Sequence, residues 1–397
     1  MIRPCSRSFL VLLAALVALG GLAVDMYLPA LPTIGAEFAA APDRMQLTMS
    51  VYLLGAAAGQ IVIGPLSDRF GRRPVLICGF LLFAAASLGA TSAGSVGVLI
   101  AWRLLQSFGA AVGGVLAMAI VRDCYPVQGA ARTMAHLSTI IGLSPAVAPF
   151  IGGALLELFG WRSIFAALAA AGLALAGIVA FGLGETRPAG ERPANMLAQL
   201  LQSYATLLGD RRYLAYVLCV SFAFAGLFTF IAGSAYAVID HWGVPPARFG
   251  YVFAVLPIGF MVGAQAGALF GRWLPVTGLL TIGAALCCGA GFALPAAYLL
   301  DGGLVAFMLP VAAYVVGVGI ILPQGIACVM ADHPQIAGAA AAVLGCAQLA
   351  LSAGIAALAA GLSDGTPLAM AVTMALAAPA ALLAERIAAI GRRPLPV

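Results

Sequence analysis

Charge is what this chain lacks. Of its 397 residues only 19 are basic and 14 acidic, 8% in all, where soluble domains carry about a quarter. So few charges cannot clothe a water-facing surface of this size, which excludes an ordinary soluble enzyme. Lysine is missing altogether: every basic residue is Arg. The eight cysteines contain no Cys-x-x-Cys pair and mostly lie inside apolar runs. Cysteine serves there as a small hydrophobe, so neither a disulfide framework nor a metal site is indicated. The three histidines, His136, His241 and His333, are far apart and lie near the ends of apolar runs. No His-Glu-x-x-His occurs, and no Gly-flanked Ser is matched by an in-span His, so a membrane-embedded enzyme is set aside. The net charge of +5 is not read as a nucleic-acid surface, because in such a chain the distribution of charge matters more than its sum.

What is present is apolar sequence: 63% of residues are hydrophobic and the mean hydropathy is +1.09. A bilayer crossing takes about 20 mostly apolar residues. With Pro, Gly and charge as punctuation, the chain divides into twelve spans, at 9–29, 46–66, 75–92, 97–120, 135–157, 163–183, 213–239, 249–270, 276–299, 304–330, 337–362 and 367–390. Arg3 and Arg7 precede the first run as in a signal peptide. The run from Phe9 to Val24 is too long for that role, and a retained helix is expected. Fifteen of the 19 Arg fall in the N-terminal and alternate loops, against Arg44, Arg162 and Arg248 on the other side. By the positive-inside rule both termini are cytoplasmic, in a bacterial inner membrane.

The longest polar interruption, 185–212, separates an N-terminal half (1–184) from a C-terminal half (213–397), with a short interfacial helix expected at 195–208. Gly71-Arg72 after the second span is echoed by Gly271-Arg272 after the eighth. The expected fold is therefore all-α: twelve transmembrane helices in two pseudo-symmetric six-helix halves, an architecture that transporters use.

Away from the span ends, two charges lie clearly within spans, Asp25 and Arg103. A charge at membrane depth costs on the order of 3 kcal/mol and normally faces a cavity or a partner. At ~1.5 Å per residue Asp25 stands about 24 Å above the inner face and Arg103 about 21 Å. The two are expected to share one cavity and to form an ion pair. Such a pair serves either to hold two helices together or to exchange a proton for cargo, with Arg103 tuning Asp25 by charge. Pro29 and Pro32 follow closely, interrupting the helix beside the acid.

Between the second and third spans stands Gly64-Pro-Leu-Ser-Asp68-Arg69-Phe-Gly71-Arg72-Arg73. A basic turn explains the arginines but neither Asp68 nor the glycine spacing. The segment resembles the signature loop of the major facilitator superfamily, G-x-x-x-D-R-x-G-R-R. The resemblance implies that Asp68 meets the start of the eleventh span and that Arg72 pairs with an acid ending the fourth, for which Asp123 is placed. Together these would form a gating latch, weaker in the second half, where no acid matches Asp68. Ala148-Pro149-Phe-Ile-Gly152-Gly153 resembles the antiporter motif of drug exporters, with Ala in place of its first Gly. Asp25-Met-Tyr-Leu-Pro-Ala-Leu-Pro, Arg103-Leu-Leu-Gln106 and Gly160-Trp161-Arg162 extend the likeness to the Bcr/CflA drug-resistance transporters. That resemblance implies proton-coupled export of bicyclomycin, chloramphenicol-type or sulfonamide compounds, with Asp25 and Arg103 in proton coupling.

Aromatic and neutral polar residues at span depth, Tyr27, Phe228, Tyr236, Tyr251 and Gln348, are candidates to line a pocket for hydrophobic cargo. Sugars would need more hydrogen-bonding groups, and a dicarboxylate more buried cations. No cofactor is expected beyond the proton gradient, and one chain is expected to enclose a complete pathway. The alternative reading is a facilitator-type transporter of an amino acid or short peptide.

Overall fold

Every element is a helix because nearly every residue between the Gly and Pro breaks is apolar, and in lipid a helix is what satisfies its own backbone. The computed structural model describes residues 6–125, 127–186 and 196–390, without the side chains of 127–132, 135, 136, 138–143 and 196–199. Arg3, Cys5, Arg132, His136, Arg187, Arg192, Arg392 and Arg393 thus lie outside the described residues or side chains. Among the described residues eleven helical segments are long and apolar enough to cross a membrane. The twelfth expected span is the helix Val127–Phe159, apolar over Ser144–Phe159.

The first unit comprises Met1–Met196 with Val244–Ala254. Its helices are α1 (Arg7–Asp25), α2 (Leu31–Glu37), α3 (Pro42–Phe70), α4 (Arg72–Thr91), α5 (Val96–Cys124), α6 (Val127–Phe159) and α7 (Arg162–Gly182). The hydroxyl of Ser6 caps α1 by accepting the Phe9 N–H, and Ser95 caps α5 through Val98, as N-terminal amides without helical partners require. α3 and α4 both pack on α5, α4 on α7, and α1 against α5 and α6. Leu13, Leu16, Phe80, Phe83, Leu116 and Phe165 are completely buried among them. A short helix from the later part of the chain, α10 (Phe249–Phe253), lies on α6, with Tyr251 edge-on to Phe150 at 4.9 Å.

The second unit comprises Leu197–Gly243 and Val255–Val397. It contains α9 (Arg211–Ala235), α11 (Val255–Phe270), α12 (Val276–Leu299), α13 (Gly303–Ala331), α14 (Ala337–Gly361) and α15 (Leu368–Ile390). The expected linker helix is present as α8 (Met196–Gly209). α9 packs against α15 and α14, and α13 against α12 and α11. α9 ends in a wider π-helical turn, Tyr236–His241.

The sequence divides two spans less finely than the fold does. The first consists of α1, a tight turn at Leu28–Ala30 and α2; the eighth is broken at Ala254 between α10 and α11. Both units turn Leu, Ile, Val and Phe outward along their helices, Phe181 and Leu358 among them. On a soluble monomer such faces are rare; here they suit acyl chains.

Candidate transport and gating sites

The first site forms where α1 ends. Pro29 has no N–H for the Asp25 carbonyl and disfavours helical geometry at Leu28, so Asp25 is the last α-helical residue. Met26 still donates to Leu22 at 3.0 Å, but past it the helical pattern stops. The Ala23 carbonyl accepts a hydrogen bond from Nη1 of Arg103 at 3.0 Å.

Arg103 is wholly buried. Its Nη1 also donates to Oε1 of Gln106 at 2.7 Å, and Gln106 donates in turn to Ser87 on α4 at 2.8 Å. Nη2 contacts the Met49 sulfur at 3.7 Å. The guanidinium lies between two rings, 4.6 Å from the centroid of Tyr27 and 4.2 Å from that of Tyr52. Tyr27 is fixed by a 3.0 Å hydrogen bond between its hydroxyl and that of Thr48, and Tyr52 donates to the Gly20 carbonyl at 3.2 Å.

Asp25 and Arg103 thus share a neighbourhood, with Tyr52 in electrostatic reach of both. They do not form the expected ion pair: among the described residues no ion pair within 4 Å joins them. The reason is that the helix break supplies a carbonyl that competes for the guanidinium. With Gln106 and two ring faces it accommodates the buried cation without a carboxylate. Asp25 itself is 4% exposed.

The antiporter-like segment packs directly on this break. A Cβ at Gly152 would overlap the Met26 carbonyl, and one at Gly153 would come within 3.1 Å of the Pro246 carbonyl oxygen. Pro149 is buried one turn earlier on α6.

The second site is at the Arg-rich end of the same unit. Arg72 reaches Oδ1 of Asp68 with Nη1 (2.8 Å) and Oδ2 of Asp123 with Nε (3.0 Å), and it donates to Ser67 Oγ at 2.5 Å. Ser67 donates to the Gly64 carbonyl at 2.8 Å. The side chain of Arg72 is only 9% exposed, so the two carboxylates hold it in a half-dry setting where such pairs are stronger than on a surface. Arg69 lies over the ring of Phe70 at 5.2 Å. Arg73 donates to the Ala180 carbonyl at the end of α7.

Sequence reasoning missed Glu185. Its carboxylate accepts the backbone N–H of Arg72 at 2.9 Å and of Arg73 at 3.2 Å, satisfying two of the free amides that open α4. A signal was available: a carboxylate just past the end of α7 is disfavoured by that helix's own dipole, so it serves another helix. Gly71 makes the turn at φ +96°, and a Cβ there would lie 2.5 Å from Glu185 Oε2.

The second unit has an unforeseen polar cluster of its own. Asp210 caps α9 through the N–H groups of Arg212 (2.9 Å) and Tyr213 (3.2 Å) and bonds the His333 ring at 2.9 Å. Arg212 approaches Asp332 at 3.6 Å. Burial alone would raise the Asp210 carboxyl, but the Tyr213 amide, the His333 ring and the Arg212 amide together hold it below its ordinary value. Arg272, the echo of Arg72, is exposed.

The pocket candidates are found in unlike settings. Tyr27 is completely buried beneath Arg103 and Phe228 is buried beside Phe224, whereas Tyr251 is 71% exposed. Tyr236 and Gln348 are half-buried, and the Gln348 carbonyl accepts the hydroxyl of Ser352.

A twelve-span chain with this loop, this jointed first span and this helix packing is a transporter of a known class. It belongs to the major facilitator superfamily, whose family model matches residues 13–359. Among its relatives, the bicyclomycin resistance protein homolog of Haemophilus influenzae is 30% identical over 366 residues, covering 92% of each chain. The multidrug resistance protein D of Escherichia coli is 31% identical, covering 87% of this chain and 86% of that one. An uncharacterized MFS-type transporter of Bacillus subtilis, YdgK, is 33% identical over 343 residues, covering 86% of this chain and 85% of that one. The fold is similar to that of a D-xylose–proton symporter (TM-score 0.77, 16% identity, 96% of this chain and 97% of that one). It is also similar to a bacterial homolog of the human lysosomal transporter Spinster (TM-score 0.73, 17% identity, 98% of each).

Proposed function

We propose that this protein is a proton-coupled antiporter that exports hydrophobic drugs of the bicyclomycin, chloramphenicol or sulfonamide class. It acts as a monomer in a bacterial inner membrane, with both termini cytoplasmic. The observation that carries the reading is the placement of Asp25: a buried acid ending a broken helix, with the antiporter-like Gly152 packed on the break and Arg103 bonded to the nearby Ala23 carbonyl. The names of the Haemophilus and Escherichia relatives, a bicyclomycin resistance protein homolog and a multidrug resistance protein, support drugs as the cargo.

In this scheme drug enters from the cytoplasm and Asp25 releases its proton as drug binds. The loaded protein then opens outward, and a proton from outside returns to Asp25 as drug leaves. Asp68, Arg72 and Asp123 form the cytoplasmic latch. Proton movement against drug movement supplies the driving force, and no cofactor takes part.

The test uses inverted vesicles acidified inside by respiration and loaded with a pH-sensitive dye. Chloramphenicol, bicyclomycin, a sulfonamide and a lipophilic cation are added singly. Drug-triggered proton release in the wild type and its loss in Asp25→Asn is the expected result. Undiminished proton-driven efflux by Asp25→Asn would remove that residue from the scheme.

A further inference from the structure

The end of the first unit opposite the latch carries an arrangement that the transport scheme does not use. Glu37, the last residue of α2, accepts the indole N–H of Trp161 at 2.6 Å and Nη1–H of Arg162 at 2.8 Å. Arg162 donates Nε–H to the carbonyl of Thr91 at the end of α4 (3.1 Å) and lies over the Trp161 ring at 4.2 Å. From Trp161 a run of buried rings leads inward. Trp161 meets Phe165 at 6.0 Å, Phe165 meets Tyr27 at 5.5 Å, and Tyr27 lies against the Arg103 guanidinium.

We propose that Glu37, Trp161 and Arg162 are positioning residues for the proton site. They form a clamp that holds α2 on α7 and, through Phe165, seats Tyr27 on Arg103, keeping the Arg103–Ala23 bond closed beside Asp25. The proposal rests on the reading of Asp25 as that site. α2 has seven residues, too few to hold itself as a helix, so its anchor decides where it rests. Tyr27 belongs to the turn between α1 and α2 and follows that anchor. With no carboxylate paired to it, Arg103 is placed by Tyr27, Tyr52, Gln106 and the Ala23 carbonyl.

Among the described side chains, four helices bring polar or aromatic groups toward Arg103 and Asp25. Tyr52, Met49 and Thr48 come from α3, Ser87 from α4 through Gln106, and Ser144 of α6 approaches Gly21; α7 brings only Phe165 toward Tyr27.

Two measurements test this. In the vesicle assay, Glu37→Gln and Trp161→Phe, which keep α2 acceptors or rings in place but weaken the clamp, should move the pH midpoint of drug-triggered proton release by about half a unit, a threefold change in proton affinity. Drug affinity in detergent should stay within about twofold, since neither variant replaces a side chain proposed to line the pocket. In a Phe165→Leu background, which cuts the run of rings, Glu37→Gln should add no further shift. Unmoved midpoints, or additive shifts, overturn the proposal. Independently of transport, hydrogen exchange at residues 26–31 should quicken at least about threefold in Glu37→Gln, the scale of an exposed ion pair; unchanged exchange overturns it. Faster exchange in Glu37→Gln, together with a wild type that releases no protons, would leave the clamp standing and sink the antiport reading instead.

Discussion

Glu185 caps a helix that begins 113 residues before it: its carboxylate takes the backbone N–H of Arg72 at 2.9 Å. The side chain of the same Arg72 is held by Asp68 and Asp123. Three acids from three helix ends thus converge on one residue, its backbone fixed by one and its guanidinium by the other two.

Removing the cap should loosen α4 without touching the guanidinium. Glu185→Ala should lose about 1 kcal/mol of stability, the usual cost of an N-cap deletion, and Glu185→Gln less than half of that. Thermal unfolding of the detergent-solubilised variants measures both.

Two glycines of the same loop should answer oppositely to alanine. At Gly71, φ is +96° and the added carbon meets Glu185, so Gly71→Ala should cost about 1–3 kcal/mol and most of the transport activity. Gly64 lies inside α3 with open space around its missing carbon, so Gly64→Ala should be neutral or stabilise by up to about 1 kcal/mol. Transport assays and melting curves on the pair decide it.

Arg72→Ala should slow turnover about tenfold, the kinetic equivalent of about 1.4 kcal/mol, and leave drug affinity within twofold. Arg72→Lys should not restore it, because an ammonium cannot serve Asp68, Asp123 and Ser67 with the fork geometry of a guanidinium. An altered drug profile would place Arg72 in the binding site.

Asp210 carries a pH prediction. Its folded carboxyl titrates below the ordinary value of 3.8, so its stabilising effect is complete above that value and disappears as pH falls through the lower, folded one. The stability gap between wild type and Asp210→Asn should be present at about pH 5 and close as pH falls below about 3.8. Unfolding at a series of pH values reads it; a gap that widens on acidification would contradict it.

Much of this was legible in the sequence, and the reasons differ from residue to residue. The pairing of Arg72 with Asp123 is what the loop's resemblance to the superfamily signature implies, and the structure shows it. The break after Asp25 follows from Pro29, a local effect. The common height of Asp25 and Arg103 follows from helical rise, but their failure to pair does not, because it depends on which carbonyl the break exposes. Glu185 with Arg72 and Glu37 with Arg162 were illegible for a related reason: each joins helix ends far apart in sequence, and only tertiary packing brings them together. α8 was legible from Leu spacing alone.

The jointed first span has a mechanical consequence. A continuous helix bends only by giving up backbone hydrogen bonds, whereas this one has already surrendered them between Met26 and Leu28. Its compliance is concentrated within a few residues of the Asp25 carboxyl, while the long arm α1 stays stiff. A small torsion at that point swings Asp25 through an arc while leaving every other turn of the span intact.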